Sequence, residues 1–69
     1  MDKIQECWES EIGKLCAGTK VVIAAGSDLI EGRFVGYDPL NDAVYVERQD
    51  KNTVTVIRVR DIDVVLLSL

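Results

Sequence analysis

The 69-residue sequence contains no histidine and only two cysteines. Without them no four-ligand Cys/His zinc site can be assembled from one chain, and a network of disulfides is out of reach. The missing imidazole also removes the commonest general base. Serine is confined to Ser10, Ser27 and Ser68, and no carboxylate pair marks an evident pocket, so a catalytic centre has no parts. The expectation is a protein that is not an enzyme and carries no cofactor and no metal. Positive charge is scarce as well. Eight Lys and Arg stand against twelve Asp and Glu, a formal net charge of −4. This argues against affinity built on blanketing phosphates with cations, while leaving room for a compact pocket whose local charge differs from the total. No apolar run is long enough to span a bilayer, and the first residues carry Asp2, Glu6, Glu9 and Glu11, unlike a secretory or transit leader. A soluble, cytoplasmic protein with no membrane partner is the reading. No linker, repeat or low-complexity stretch divides the chain, so residues 1–69 are taken as one domain.

Apolar residues are abundant, at 48% of the chain. A domain near this size buries only about 60% of the surface its unfolded chain exposes, so its own core is marginal. With metal and disulfide networks set aside, association with further copies is the remaining source of stability.

Along the chain, Ile4, Trp8, Ile12, Leu15 and Cys16 recur at steps of four, four, three and one, which predicts an amphipathic helix over residues 1–18. Asp2 is its expected cap and Gly18 its stop, with Gly13 a weak point. Trp8 is read as the anchor of this helix on the rest of the fold. Cys7 and Cys16 then sit too far apart on one helix to meet, and are read as reduced, buried or semi-buried thiols. From residue 19 onward the texture is β-rich. "TKVVIAAGSDLIEGRFVGYD" gives two runs around a tight turn, "DAVYVERQDKNTVTVIRV" two more, and "DIDVVLLSL" a fifth. Five short antiparallel strands predict a strongly bent sheet forming a small open barrel, mainly β, over residues 19–69. Gly32 and Gly36 fall within one strand, where a bend, a bulge or a close backbone approach would require them. Val64, Val65, Leu66 and Leu67 are apolar on both faces, which gives the terminal strands an expected role in pairing with another copy.

The stretches "GRFVGYDPLND" and "VIRVRDI", set after a short predicted helix and within five predicted strands, resemble the Sm and Sm-like (Lsm) family. The resemblance runs from about Leu15 to Leu66. Gly32 and Asp38 match its first motif; Ile57, Arg58, Arg60, Asp61 and Ile62 fit the frame of its second. It implies an SH3-like barrel that assembles into a homo-oligomeric ring of about six to eight subunits. The ring would close by pairing the fourth strand of one protomer with the fifth of the next and bind single-stranded RNA at its inner rim. Carried over residue by residue, the RNA-binding positions are Asp38, Leu40, Asn41, Asp42, Arg58 and Arg60. Asp38 folds its carboxylate back on the loop, Arg58 offers a planar cation, and the tip supplies contacts to base edges. Three positions depart from the family pattern. Asp42 stands where the family reads a base with Asn, Leu40 where it stacks an aromatic or His, and Val59 where it has Gly. Two further readings stay open beside this one: a ring that has lost its RNA pocket and serves as a protein-interaction scaffold, and an unrelated SH3-like barrel that binds a peptide. For "GYDPLND" itself, a tight hairpin tip with no ligand is the plain alternative.

Overall fold

The computed structural model describes residues 4–67. Seven strands follow one another: β1 (Cys7–Ser10), β2 (Gly13–Cys16), β3 (Lys20–Ala25), β4 (Asp28–Asp38), β5 (Ala43–Arg48), β6 (Thr53–Arg58) and β7 (Ile62–Leu67), with a 3-10 turn at Val59–Asp61 between the last two. β3 to β7 are the five strands expected from the alternating runs. They form one antiparallel sheet in the order β6-β5-β4-β3-β7.

Among the described residues, the helix expected over residues 1–18 is absent. In its place β1 and β2 form an antiparallel hairpin, with Cys7 opposite Cys16, Trp8 opposite Leu15 and Ser10 opposite Gly13. Its two-residue turn, Glu11–Ile12, is closed by Gly13 at φ +124°, a conformation that suits glycine, and by the Ser10 hydroxyl donating to the Gly13 carbonyl at 2.7 Å. The apolar spacing that mimics a helix arises because Trp8 and Leu15 are cross-strand partners seven residues apart, a separation that also equals two helical turns. Asp2, the expected helix cap, lies outside the described residues. The reading of the cysteines falls with the helix: Cys7 and Cys16 form a disulfide across the hairpin. Closing a loop between residues nine apart removes conformational freedom from the unfolded chain, about 2–3 kcal/mol in the chain-entropy model.

The expected barrel is corrected too. β6 and β7 are the two ends of the sheet and do not pair with each other, so the sheet stays open. Its curvature enters at β4. Phe34 opposes Val46 and Gly36 opposes Tyr45, which leaves Val35 as an extra, unpaired residue, a β-bulge that bends the strand. Beyond the bulge β4 takes a new neighbour: Gln5 and Tyr37 exchange backbone hydrogen bonds of 2.7 and 2.8 Å. The Gly18 N–H donates to the Phe34 carbonyl at 2.8 Å, so the hairpin is tied to β4 at both of its ends.

Leu15, Val21, Ile23, Ile30, Phe34, Val44, Val46 and Ile57 form the buried core. Trp8 anchors the hairpin on it, its ring stacked 6.4 Å from Phe34 and 6.1 Å from Tyr37. The two strand glycines are close-approach positions. A Cβ on Gly36 would come within 2.5 Å of Ile4 Cγ2 and 2.9 Å of the Gln5 carbonyl oxygen, and one on Gly32 would overlap the Glu47 carbonyl across the β4–β5 ladder. Gly32→Ala therefore has to push β5 away from β4. The expected loss is about 1–3 kcal/mol, read as a lower urea midpoint at unchanged slope. An unchanged midpoint would mean that the ladder yields freely at this point. Among the described residues no helix is long and apolar enough to cross a membrane.

Candidate nucleic-acid interface

The loop between β4 and β5 is built around one carboxylate. Asp38, only 7% exposed, accepts at Oδ1 from the Leu40 and Asn41 N–H groups, at 3.0 and 3.4 Å, and at Oδ2 from the Asn41 side-chain amide at 2.7 Å and the Tyr45 hydroxyl at 3.5 Å. Pro39 fixes one φ beside it, and the chain folds back over its own acceptor as an Asx-type turn. The donated hydrogen bonds, the Asn41 amide first, hold the Asp38 carboxyl below the usual carboxylate range against the opposing effect of burial. The sign of the resulting pH dependence follows. A folded-state value below the unfolded one gives stability that is present above about pH 4 and is lost as pH falls through the folded value. Urea midpoints at pH 5 and pH 3 are expected to drop further in the wild type than in Asp38→Asn; equal drops would remove Asp38 as a source of acid sensitivity.

The rest of the tip is fixed from below. Asp42 adopts φ +51°, and its carboxylate accepts the Tyr37 hydroxyl at 2.5 Å. That hydrogen bond, followed by burial and the two nearby carboxylates, raises the Tyr37 pKa and keeps the phenol protonated as a donor. The Asp42 carbonyl accepts the Val59 N–H at 2.9 Å, and Ala43 lies opposite Arg58 in the β5–β6 ladder. The loop tip and the turn after β6, far apart in sequence, are thereby neighbours.

The six positions singled out from sequence separate into three groups. Asp38 is internal, its acceptors spent on its own loop. Asn41 and Asp42 are exposed but half engaged: the Asn41 NH₂ serves Asp38, leaving its carbonyl oxygen, and one Asp42 oxygen serves Tyr37. Leu40, 69% exposed at the tip, and the exposed Arg58 and Arg60 are the groups open to a ligand. Among the described residues the one ion pair is Arg48 with Asp50, and neither Arg58 nor Arg60 is held by a carboxylate. Asp63, an acid shortly after them in sequence, accepts the Gly26 N–H at 3.0 Å. The site thus sets the two hydrogen-bonded carboxylates of the tip beside a turn that carries two guanidinium groups and the exposed carboxylates of Asp61 and Asp63.

Tyr37, Tyr45 and Trp8 are the residues that sequence reasoning did not assign to this site. Tyr37 links the hairpin, through Trp8, to the Asp42 tip. Its place directly before Asp38 was visible; its inward direction depends on the Val35 bulge, which leaves no mark in the spacing. Comparison of the chain with protein-family models, with curated proteins and with solved structures returns no match.

Proposed function

We propose that this chain assembles head to tail into a ring of about six to eight identical subunits and binds single-stranded RNA at the rim where the β4–β5 tip meets the β6–β7 turn. The observation that carries the assembly is the placement of the two free edges. β6 and β7 lie at opposite ends of one sheet, and each bears outward apolar side chains: Val54 and Val56 on β6, Val64 and Leu66 on β7. Different edges meeting each other make a heterologous contact, which closes into a ring when the rotation per subunit divides a full turn. The resemblance of the sequence to Sm-like proteins supports the same reading, as does the backbone contact of the tip, at Asp42, with the turn that carries Arg58 and Arg60. A cytoplasmic location belongs to this proposal. In that compartment thiol pools make a Cys7–Cys16 bond transient rather than permanent.

A second reading, the ring as a protein-interaction scaffold without RNA, is favoured by the engagement of Asp38, Asn41 and Asp42 in internal hydrogen bonds. The two separate in one experiment: native mass of the assembly, followed by titration of fluorescent uridine-rich and adenine-rich oligonucleotides. RNA binding predicts that Arg58→Ala weakens affinity about tenfold, within the 1–3 kcal/mol range of a stacked base contact. Arg33→Ala is expected to change little, because Arg33 donates to the Gly18 carbonyl at 3.1 Å, away from the tip. Equal losses from both would point to a diffuse electrostatic surface, and no binding by a ring of the expected mass would favour the scaffold.

A further inference from the structure

The disulfide and the candidate rim belong to one continuous chain of contacts. Cys7 precedes Trp8 on β1, and Trp8 stacks on Tyr37 at 6.1 Å. The Tyr37 hydroxyl holds the Asp42 carboxylate, and the Asp42 carbonyl receives the Val59 N–H next to Arg58. The same Tyr37 exchanges both backbone hydrogen bonds with Gln5, two residues before Cys7.

We infer that the Cys7–Cys16 disulfide is a redox-controlled latch: closed, it holds the β1–β2 hairpin against Tyr37 and keeps the rim loop ordered; opened by a dithiol, it releases the hairpin and loosens that loop. Three observations bear on this. A two-stranded hairpin is marginal unless something beyond its own ladder supports it, and here the support is the disulfide, the Trp8 stack and the ties at Gln5 and Gly18. The bond is within reach of a reductant, since Cys7 borders an open cleft shared with Trp8, Lys14 and Tyr37, and both cysteines are only half-buried. Finally, the tip depends on its prop. Asp42 keeps a left-handed conformation, disfavoured for a residue with a Cβ, while its carboxylate is fixed by Tyr37 and its carbonyl by Val59.

The step balances as ordinary exchange. A dithiol thiolate attacks one sulfur, the Sγ–Sγ bond breaks, and a mixed disulfide forms; the second thiolate of the reagent then displaces the remaining cysteine. Cys7 and Cys16 gain two electrons and two protons, and the dithiol leaves as its own disulfide.

The inference rests on the proposed RNA reading only for what the loop serves, and its test uses no RNA. Amide hydrogen exchange is followed on the intact protein, oxidised and after treatment with dithiothreitol, with thiol release confirmed by alkylation. Reduction is expected to speed exchange at the Tyr37 and Val59 amides at least tenfold, with the β3 and β5 core amides unchanged and reoxidation restoring protection. Cys7→Ser with Cys16→Ser is expected to exchange fast at both amides with or without the dithiol; should that variant fail to fold, the reduced wild type decides alone. Unchanged exchange at both amides overturns the latch. So does faster exchange at Tyr37 with Val59 unmoved, which would confine the effect to the hairpin. A uniform loss of protection that includes Val21, Ile23 and Val46 overturns it as well, by making the bond a staple of the whole fold.

Discussion

Placing a lysine at Val56 or at Leu66 is expected to reduce the proposed ring to 7.7 kDa protomers while leaving the sheet intact. These side chains are 59% and 57% exposed, so neither belongs to the core. In the ladder Val56 lies opposite Tyr45 and Leu66 opposite Val22, on the outward face near each free edge. When β6 of one subunit pairs with β7 of the next, Val54, Val56, Val64 and Leu66 form one apolar stripe across the junction. Burying a side chain of this size contributes about 1.5–3 kcal/mol, and a lysine there forfeits it and adds the cost of desolvating a charge. That is on the order of a hundredfold per junction. Sedimentation of the wild type and of both variants at micromolar concentration checks it. A wild type that runs as a monomer ends the ring idea, and variants that keep the wild-type mass would place the interface elsewhere.

Removing the Phe34 ring is expected to be the most damaging single truncation of the core. Phe34 is 1% exposed, packs inside the core and forms one face of the Trp8 stack, so Phe34→Ala leaves a cavity under the hairpin as well as within the sheet. Such truncations cost about 3–5 kcal/mol. The whole stability of a domain this size is on the order of 3–10 kcal/mol. The variant is therefore expected to be largely unfolded at 37 °C, with Trp8 fluorescence shifted toward that of exposed indole. Thermal melts followed at Trp8 provide the measurement; a midpoint lowered by only a few degrees would show that the hairpin collapses to fill the space.

The five strands of the main sheet were legible because two independent signals coincide in them. Apolar alternation places Val21, Ile23, Ile30 and Phe34 on one face, and turn residues such as Gly26-Ser27 and Asp50 to Asn52 punctuate the runs. The neighbourhood of the Asp38 loop and Arg58 was legible as well, since consecutive hairpins carry both to one end of the sheet. The first eighteen residues were not. There a cross-strand pair and a helical stripe demand the same spacing, and only Gly13 argued for a turn. Once the helix was assumed, the cysteine pair became invisible, because a disulfide depends on which element carries its two ends. Within the site, spacing could nominate Asp38, Asn41 and Asp42 as polar groups at a tip. It could also foresee Asp38 folding back on the N–H groups of its loop, but not that Tyr37, Tyr45 and the Asn41 side-chain amide take up the remaining capacity.

The unpaired Val35 governs more than curvature. Upstream of it the even-numbered residues of β4 share the core face with Val46; downstream, Tyr37 lies opposite Val44, a core residue, while Gly36 and Asp38 turn to the other side. The strand thus changes parity once, and the change puts a phenol against the apolar interior and a carboxylate among the donors of its loop. Parity survives a length change of two residues and is reversed by a change of one. Deleting Val35 alone would point Asp38 into the core and Tyr37 away from Trp8. The segment between Gly32 and Asp38 is accordingly quantised: it tolerates being lengthened or shortened only in pairs.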